Sequence, residues 1–214
     1  MYGKLADLIQ KCQKDKNVKV ILLHGGKNFS VGNDISEFAK VKDMKAAMGK
    51  LSYGMKVLCV NMCLAVASSV KPVVVVVRGW QVGIACTMAS HATFLYCSPD
   101  AKFRTPFMAS SQSPEGTSTL TFPQLLGPRK ANEMLLLDAT LGAQDAVKQG
   151  FANGIVTQFD SASEWFNPDV IPAIPKLLAT DYHVLVNGME QLNHSKDLKR
   201  IEEVTRREAD AVVK

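Results

Sequence analysis

The 214-residue sequence lacks most of the short patterns that announce a chemistry. It contains no Gly-x-Gly-x-x-Gly, and Gly25-Gly26-Lys27 runs on into Asn28 rather than Ser or Thr, which excludes the common dinucleotide and phosphate-loop sites. There is no Gly-x-Ser-x-Gly elbow. Ser68-Ser69-Val70-Lys71 has Ser-x-x-Lys spacing but stands at a predicted helix end, just before Pro72. The five cysteines, Cys12, Cys59, Cys63, Cys86 and Cys97, are odd in number, lie in apolar stretches and form no Cys-x-x-Cys, so they read as buried thiols of a reducing compartment. No histidine stands near Cys59 and Cys63 to complete a metal set, and His24, His91, His183 and His194 have no mutual spacing of ligands; no metal site is expected. Long apolar runs are missing too. Val73 to Val77 is far shorter than the ~20 residues of a spanning helix, so no membrane span is expected, and no targeting signal is visible.

What is present is an ordinary globular composition, 47% hydrophobic and 21% charged, with a net charge of +5. The densest basic cluster, Lys196, Lys199, Arg200, Arg206 and Arg207, interleaves with Glu202, Glu203 and Glu208. That pattern reads as a solvated helix face rather than a nucleic-acid patch, and no nucleic-acid partner is expected. A mildly basic surface suits an anionic small molecule.

The periodicities alternate. Leu5, Leu8, Ile9 and Cys12 follow helical spacing, and so do Leu51, Met55, Leu58, Met62, Ala65 and Val66 within a helix expected over 51–69. Short apolar runs at Val18–Leu23, Val73–Val77, Thr93–Cys97, Lys102–Thr105 and Ile155–Gln158 read as strands, the consecutive valines as one covered on both faces. Helices are expected at Ile84–Ser90, Ala131–Leu137 and Ala143–Gln149, the last stopped by Gly150, and throughout the tail beyond Asp160. Repeated strand, turn and helix followed by a helical tail is an α/β class.

Three loops could carry chemistry. Phe29-Ser30-Val31-Gly32-Asn33-Asp34 follows a strand; its glycine permits a sharp turn with N–H groups pointing outward, or it is simply a connection capped by Asp34. Gly79-Trp80-Gln81-Val82-Gly83-Ile84 has the same two readings before its helix. Glu115, between Pro114 and Gly116, is either a turn residue or a base; its loop is apolar and hydroxyl-rich, a setting that would desolvate the carboxylate and raise its pKa.

Taken together, these segments resemble a known family. Lys27-Asn28-Phe29-Ser30-Val31-Gly32-Asn33-Asp34-Ile35 is similar to the F-S-x-G-x-D-L loop of the crotonase superfamily, the enoyl-CoA hydratases and isomerases. Lys71-Pro72 through Gly83-Ile84 resembles that family's K-P-V strand and glycine turn. Thr105-Pro106-Phe107 with Gln112-Ser113-Pro114-Glu115-Gly116 resembles the peroxisomal Δ3,Δ2-enoyl-CoA isomerase branch, and the match continues through Gly127-Pro128, Ala143, Gly150 and Val156.

The resemblance implies a crotonase-like spiral of β-β-α units over residues 1–160 and a helical oligomerisation region over 161–214, in a homotrimer or hexamer. It places Glu115 on the catalytic glutamate and Asn33 and Ile84 on the backbone donors of the oxyanion hole. Ser30, Val31, Gly32, Asp34, Ile35, Gly83, Phe107 and Pro114 fall at substrate-binding positions. The implied partner is an acyl-CoA thioester; no cofactor is implied, coenzyme A being part of the substrate. Thr87 and Phe107 stand where hydratases carry carboxylates, which favours isomerisation of a 3-enoyl-CoA over hydration. A non-catalytic acyl-CoA-binding or interaction module on the same fold is the alternative. Against the family pattern the N-terminal strands are missing, the first residues falling within the first helix; Arg78, Trp80-Gln81 and His91 are further departures. The resemblance suggests a peroxisomal location, with mitochondrion and cytosol left open.

Overall fold

The computed structural model describes residues 2–32, 57–158 and 170–211. The expected helix over 51–69 therefore falls partly outside the described residues.

The first helix, α1 (Tyr2–Lys14), buries Ala6 and Ile9 one turn apart. Leu8, expected on the same face, is 56% exposed instead. The last carbonyls of a helix need donors from elsewhere. Here they come from Lys71, a buried residue whose Nζ donates to Cys12 O at 2.7 Å and to Asp15 O and lies 5.4 Å from the Tyr182 ring centroid. Strand β1 (Ile21–His24) starts later than the apolar run at Val18 suggests. Helix α2 covers 57–67 and buries Cys59, Met62, Cys63 and Val66, whereas Leu58, expected on the inner face, is exposed.

β2 (Val73–Val77) is the centre of the molecule, with all five valines buried. Alternation along the strand divides them. Val73, Val75 and Val77 face the larger core with α1, α2, Ile84, Phe103 and Phe122, while Val74 and Val76 face Tyr96, Val156, Ile171 and Ile174. β2 pairs in parallel with β1 on one side and with β4 (Phe94–Cys97) on the other; β4 pairs in parallel with β7 (Gly154–Ile155). The four-stranded order is β1-β2-β4-β7, and both faces are covered, as a parallel sheet requires.

A second sheet, β3-β5-β6, was only partly expected. β5 (Lys102–Arg104) agrees with the sequence reading. β3 (Trp80–Val82), expected as part of a turn, is drawn out by partners distant in sequence. Trp80 N–H donates to Asn28 Oδ1 at 2.9 Å, Ser30 N–H to Trp80 O at 3.0 Å and Val82 N–H to Ser30 O at 3.0 Å. β6 (Leu141–Gly142) is likewise made by its antiparallel partner β5.

Two short helices follow the strands: α3 (Ile84–Ala89), wholly buried, and α5 (Ala143–Lys148), followed by Gly150 at φ 80°. α4 (Ser118–Leu136) begins well before the expected Ala131. Gly127, at φ 74° and ψ 158°, breaks it in the middle, and Pro128 opens the second half. The tail forms α6 (Ala173–Ala179), α7 (Tyr182–His194), capped by Asp181, and α8 (Leu198–Ala211). It is docked on the core: Asn193 Nδ2 donates to Ser69 O at 2.9 Å and Lys196 Nζ to Ala67 O at 3.3 Å, closing the C-terminal end of α2.

Candidate active site

Gly83 is the hinge of the first half of the site. Its φ of 63° and ψ of −134° are open to glycine alone, and its N–H donates to Arg104 O at 2.9 Å, so the turn is fixed from β5. Ile84 is consequently the first residue of α3, where an N–H has no acceptor within its own helix. Among the described residues a Cβ built on Gly83 would meet nothing within 4 Å. Next to this turn lies the earlier loop. Ser30 bridges to Gln81, Ser30 Oγ accepts from Gly32 N–H at 3.3 Å, and a Cβ on Gly32, at φ 98°, would stand 3.6 Å from Val82 Cγ1. Val31 is 68% exposed. Asn33, Asp34 and Ile35 lie outside the described residues.

Glu115 belongs to the other half. Gly116 and Thr117 follow it with positive φ, 69° and 67°, and turn the chain into α4. The turn is pressed against α3: a Cβ on Gly116 would lie 2.1 Å from Thr87 Oγ1 and 3.1 Å from Ile84 Cδ1. Folding thus brings the residue after Glu115 against Ile84, from a different strand–helix unit. Glu115 and Pro114 are half-buried. Phe107 is packed into the core, and Thr87 is buried with its hydroxyl donated to Ile84 O at 3.2 Å.

The electrostatics single out Glu115. Burial, with the charge of Glu208 added, pushes its pKa up from 4.5 to about 7. Cys59 and Cys63 of α2 face the same carboxylate; burial first and then its charge push both thiols up, so they stay protonated at neutral pH. His91 is buried and pushed down to about 4 by that burial and by Lys196, partly offset by the Gly116 backbone, which leaves the ring neutral. The arrangement can take a proton from a weak carbon acid near pH 7 and offers a helix-start N–H close by for a developing oxyanion.

Glu208 is what the sequence reading missed. Expected on a solvated face, it is 4% exposed, although Glu202, ion-paired with Arg206 at 2.7 Å, does face solvent. The signal was there: Ile201, Val204, Thr205 and Glu208 recur at helical spacing and mark the inner side of α8. Among the described residues no cluster of His, Cys, Asp or Glu could hold a metal ion, and no helix is long and apolar enough to cross a membrane.

Comparison with known proteins agrees with this geometry. The family model described as "Enoyl-CoA hydratase/isomerase" matches residues 1–213. Human enoyl-CoA delta isomerase 2 is 32% identical over 155 residues, 72% of this chain and 39% of that protein. The mouse peroxisomal enoyl-CoA delta isomerase 3 is 34% identical over 162 residues, 74% of this chain and 48% of that protein. The chain thus spans two-fifths to half the length of these relatives. The crystal structure of an enoyl-CoA hydratase/isomerase from Mycobacterium paratuberculosis superposes with a TM-score of 0.83 at 22% identity, over 99% of this chain and 81% of that one, a likeness of fold alone. With the crotonase architecture and its glycine turns in place, and a family match along nearly the whole sequence, this chain belongs to the enoyl-CoA hydratase/isomerase family.

Proposed function

We propose that the chain is a Δ3,Δ2-enoyl-CoA isomerase acting through Glu115. The observation that carries the reading is the Glu115 carboxylate, raised to about 7, in a turn pressed against the start of α3. A 3-enoyl-CoA thioester would lie with its carbonyl oxygen between the N–H groups of Asn33 and Ile84. Glu115 takes the proton from C2, the electrons move onto the thioester oxygen as a dienolate, and Glu115 returns the proton at C4. The double bond moves from C3–C4 to C2–C3, giving the 2-trans-enoyl-CoA. Ser30, Val31, Gly32, Asp34, Ile35, Gly83, Phe107 and Pro114 would line the path of the acyl-CoA. A proton shift of this kind calls for no metal or redox group. Thr87 and Phe107 carry no carboxylate to manage a water, which supports isomerisation over hydration. Residues 1–160 would serve as the catalytic core and 161–214 as the oligomerisation region of a trimer or hexamer, with exposed Leu178 and Val184 available for contacts; the peroxisomal name of the mouse relative supports that location.

Glu115→Gln keeps the shape and cannot accept the proton. Isomerisation of a 3-enoyl-CoA is expected to fall by at least about 10²-fold with binding of the CoA ester retained. Undiminished turnover in that variant rejects the mechanism. A wild-type chain that binds the ester and turns over neither isomerase nor hydratase substrate supports the binding module instead.

A further inference from the structure

A second carboxylate, Glu208, is buried beside Glu115 and has no part in the proton shift. Burying a carboxylate is costly unless hydrogen bonds replace its water. Glu208 meets that demand with Oε2 accepting from Thr117 N–H at 2.5 Å and Oε1 from Thr119 N–H at 2.9 Å and from the Thr119 hydroxyl. The two backbone donors belong to the first turn of α4, where N–H groups lack intrahelical acceptors. Helices ordinarily solve this locally, with a Ser, Thr, Asp or Asn side chain at the N-cap. Thr117 occupies that position, yet its side chain makes no cap bond; its hydroxyl pairs with that of Thr205 on α8. The cap comes instead from a helix 91 positions further along the chain, and it grips the strained turn two residues after Glu115.

We infer that Glu208 is the positioning residue of this site, fastening the start of α4 to the last helix and so holding the Glu115 loop against α3. The inference rests on the reading of Glu115 as the base. It has an electrostatic consequence. The groups that face the pair among the described residues are Cys59 and Cys63 from α2, Arg207 on α8, Thr117 and Thr119 at the start of α4, and His91 with Lys196 beyond Gly116. The thiols and His91 are neutral at pH 7. Burial, the largest cause, leaves Glu208 raised above its ordinary value against the opposing pull of the donors Thr119 and Thr117 and the charge of Arg207. Three donors, Thr117 N–H, Thr119 N–H and the Thr119 hydroxyl, favour its ionised form. The charge of Glu208 is, after burial, the second cause that holds Glu115 high, so its removal is expected to lower the Glu115 midpoint.

The test uses the whole chain with Glu208→Gln, Glu208→Ala and the milder Thr119→Ala. Glu115 is titrated directly by carbon NMR with carboxyl-labelled glutamate, its signal identified by its loss in Glu115→Gln, and the pH profile of kcat/KM for a 3-enoyl-CoA is recorded alongside. In Glu208→Gln, which keeps an acceptor but not the charge, the Glu115 midpoint is expected to move to lower pH and the acid limb of the profile to move with it. Thr119→Ala moves both in the same direction by less. Glu208→Ala lowers kcat about tenfold or more with KM little changed, the mark of a misplaced base. A Glu115 midpoint and acid limb unchanged in Glu208→Gln and Thr119→Ala overturn the inference, whether or not Glu208→Ala folds. If the midpoint moves but the wild-type chain isomerises nothing, the positioning role stands and the isomerase reading falls.

Discussion

Gly83 and Gly116 flank the same site with nearly the same φ, 63° and 69°, and are opposite in what surrounds them. Among the described residues a side chain at Gly83 would meet nothing, whereas one at Gly116 would strike the Thr87 hydroxyl and the Ile84 side chain. One glycine has no described neighbour on its open side; the other brings two pieces of protein together. On the proposed reading, the first serves recognition of an oxygen and the second placement of a carboxylate. A glycine in a sequence pattern does not reveal which of these it does, but the space around it in the fold does.

Gly116→Ala should break the contrast most severely. The positive φ costs roughly 1–2 kcal/mol with a side chain and the overpacking against Thr87 roughly 1–3 kcal/mol. A fall in Tm of about 5–15 °C is expected for a chain of this length, with activity lost alongside, and shortening Thr87 to glycine in the double variant should recover part of both. Gly83→Ala should cost less stability, since only backbone strain of about 1–3 kcal/mol opposes it, yet kcat/KM should drop out of proportion to the change in Tm. Equal losses of Tm in the two variants would erase the distinction. The smallest effect isolates charge from shape. The pKa of Glu115 is raised from 4.5 to about 7, so the folded chain binds this proton more tightly than the unfolded one. Its ionisation costs stability progressively between those values as pH rises, and in full above 7. Glu115→Gln, neutral throughout, should therefore raise Tm by a few degrees at pH 8 and leave it unchanged near pH 4.5, as read by calorimetry at the two pH values. A variant that is less stable than wild type at pH 8 would show that the carboxylate makes compensating contacts.

How legible this was in the sequence depended on distance along the chain. Val73–Val77 announced a strand covered on both faces, because alternation and burial are properties of the strand itself. The apolar, hydroxyl-rich setting of Glu115 announced a raised pKa, and the structure bears that out. β3 and β6 were not legible, since Trp80–Val82 is extended by Asn28 and Ser30 and Leu141–Gly142 by β5. The first half of α4 was hidden by Pro123 and Gly127, which normally interrupt helices, and by a cap supplied from α8. Glu208 was misread because charge patterning suggested solvent and outweighed the helical spacing it shares with Ile201, Val204 and Thr205.

The long-range caps bear on how the chain reaches this state during synthesis. Domains emerge N-terminal end first, at about 5–20 residues per second. The sheet can assemble once Gly154–Ile155 has left the ribosome, but Asn193, Lys196 and Glu208, which close the ends of α2 and α4, follow later. Until then those helix ends must be served by water, and the Glu115 turn lacks its anchor. The nascent core would pass through a stage with its β-architecture largely formed and the geometry of the candidate site still unset, α8 acting as a late latch.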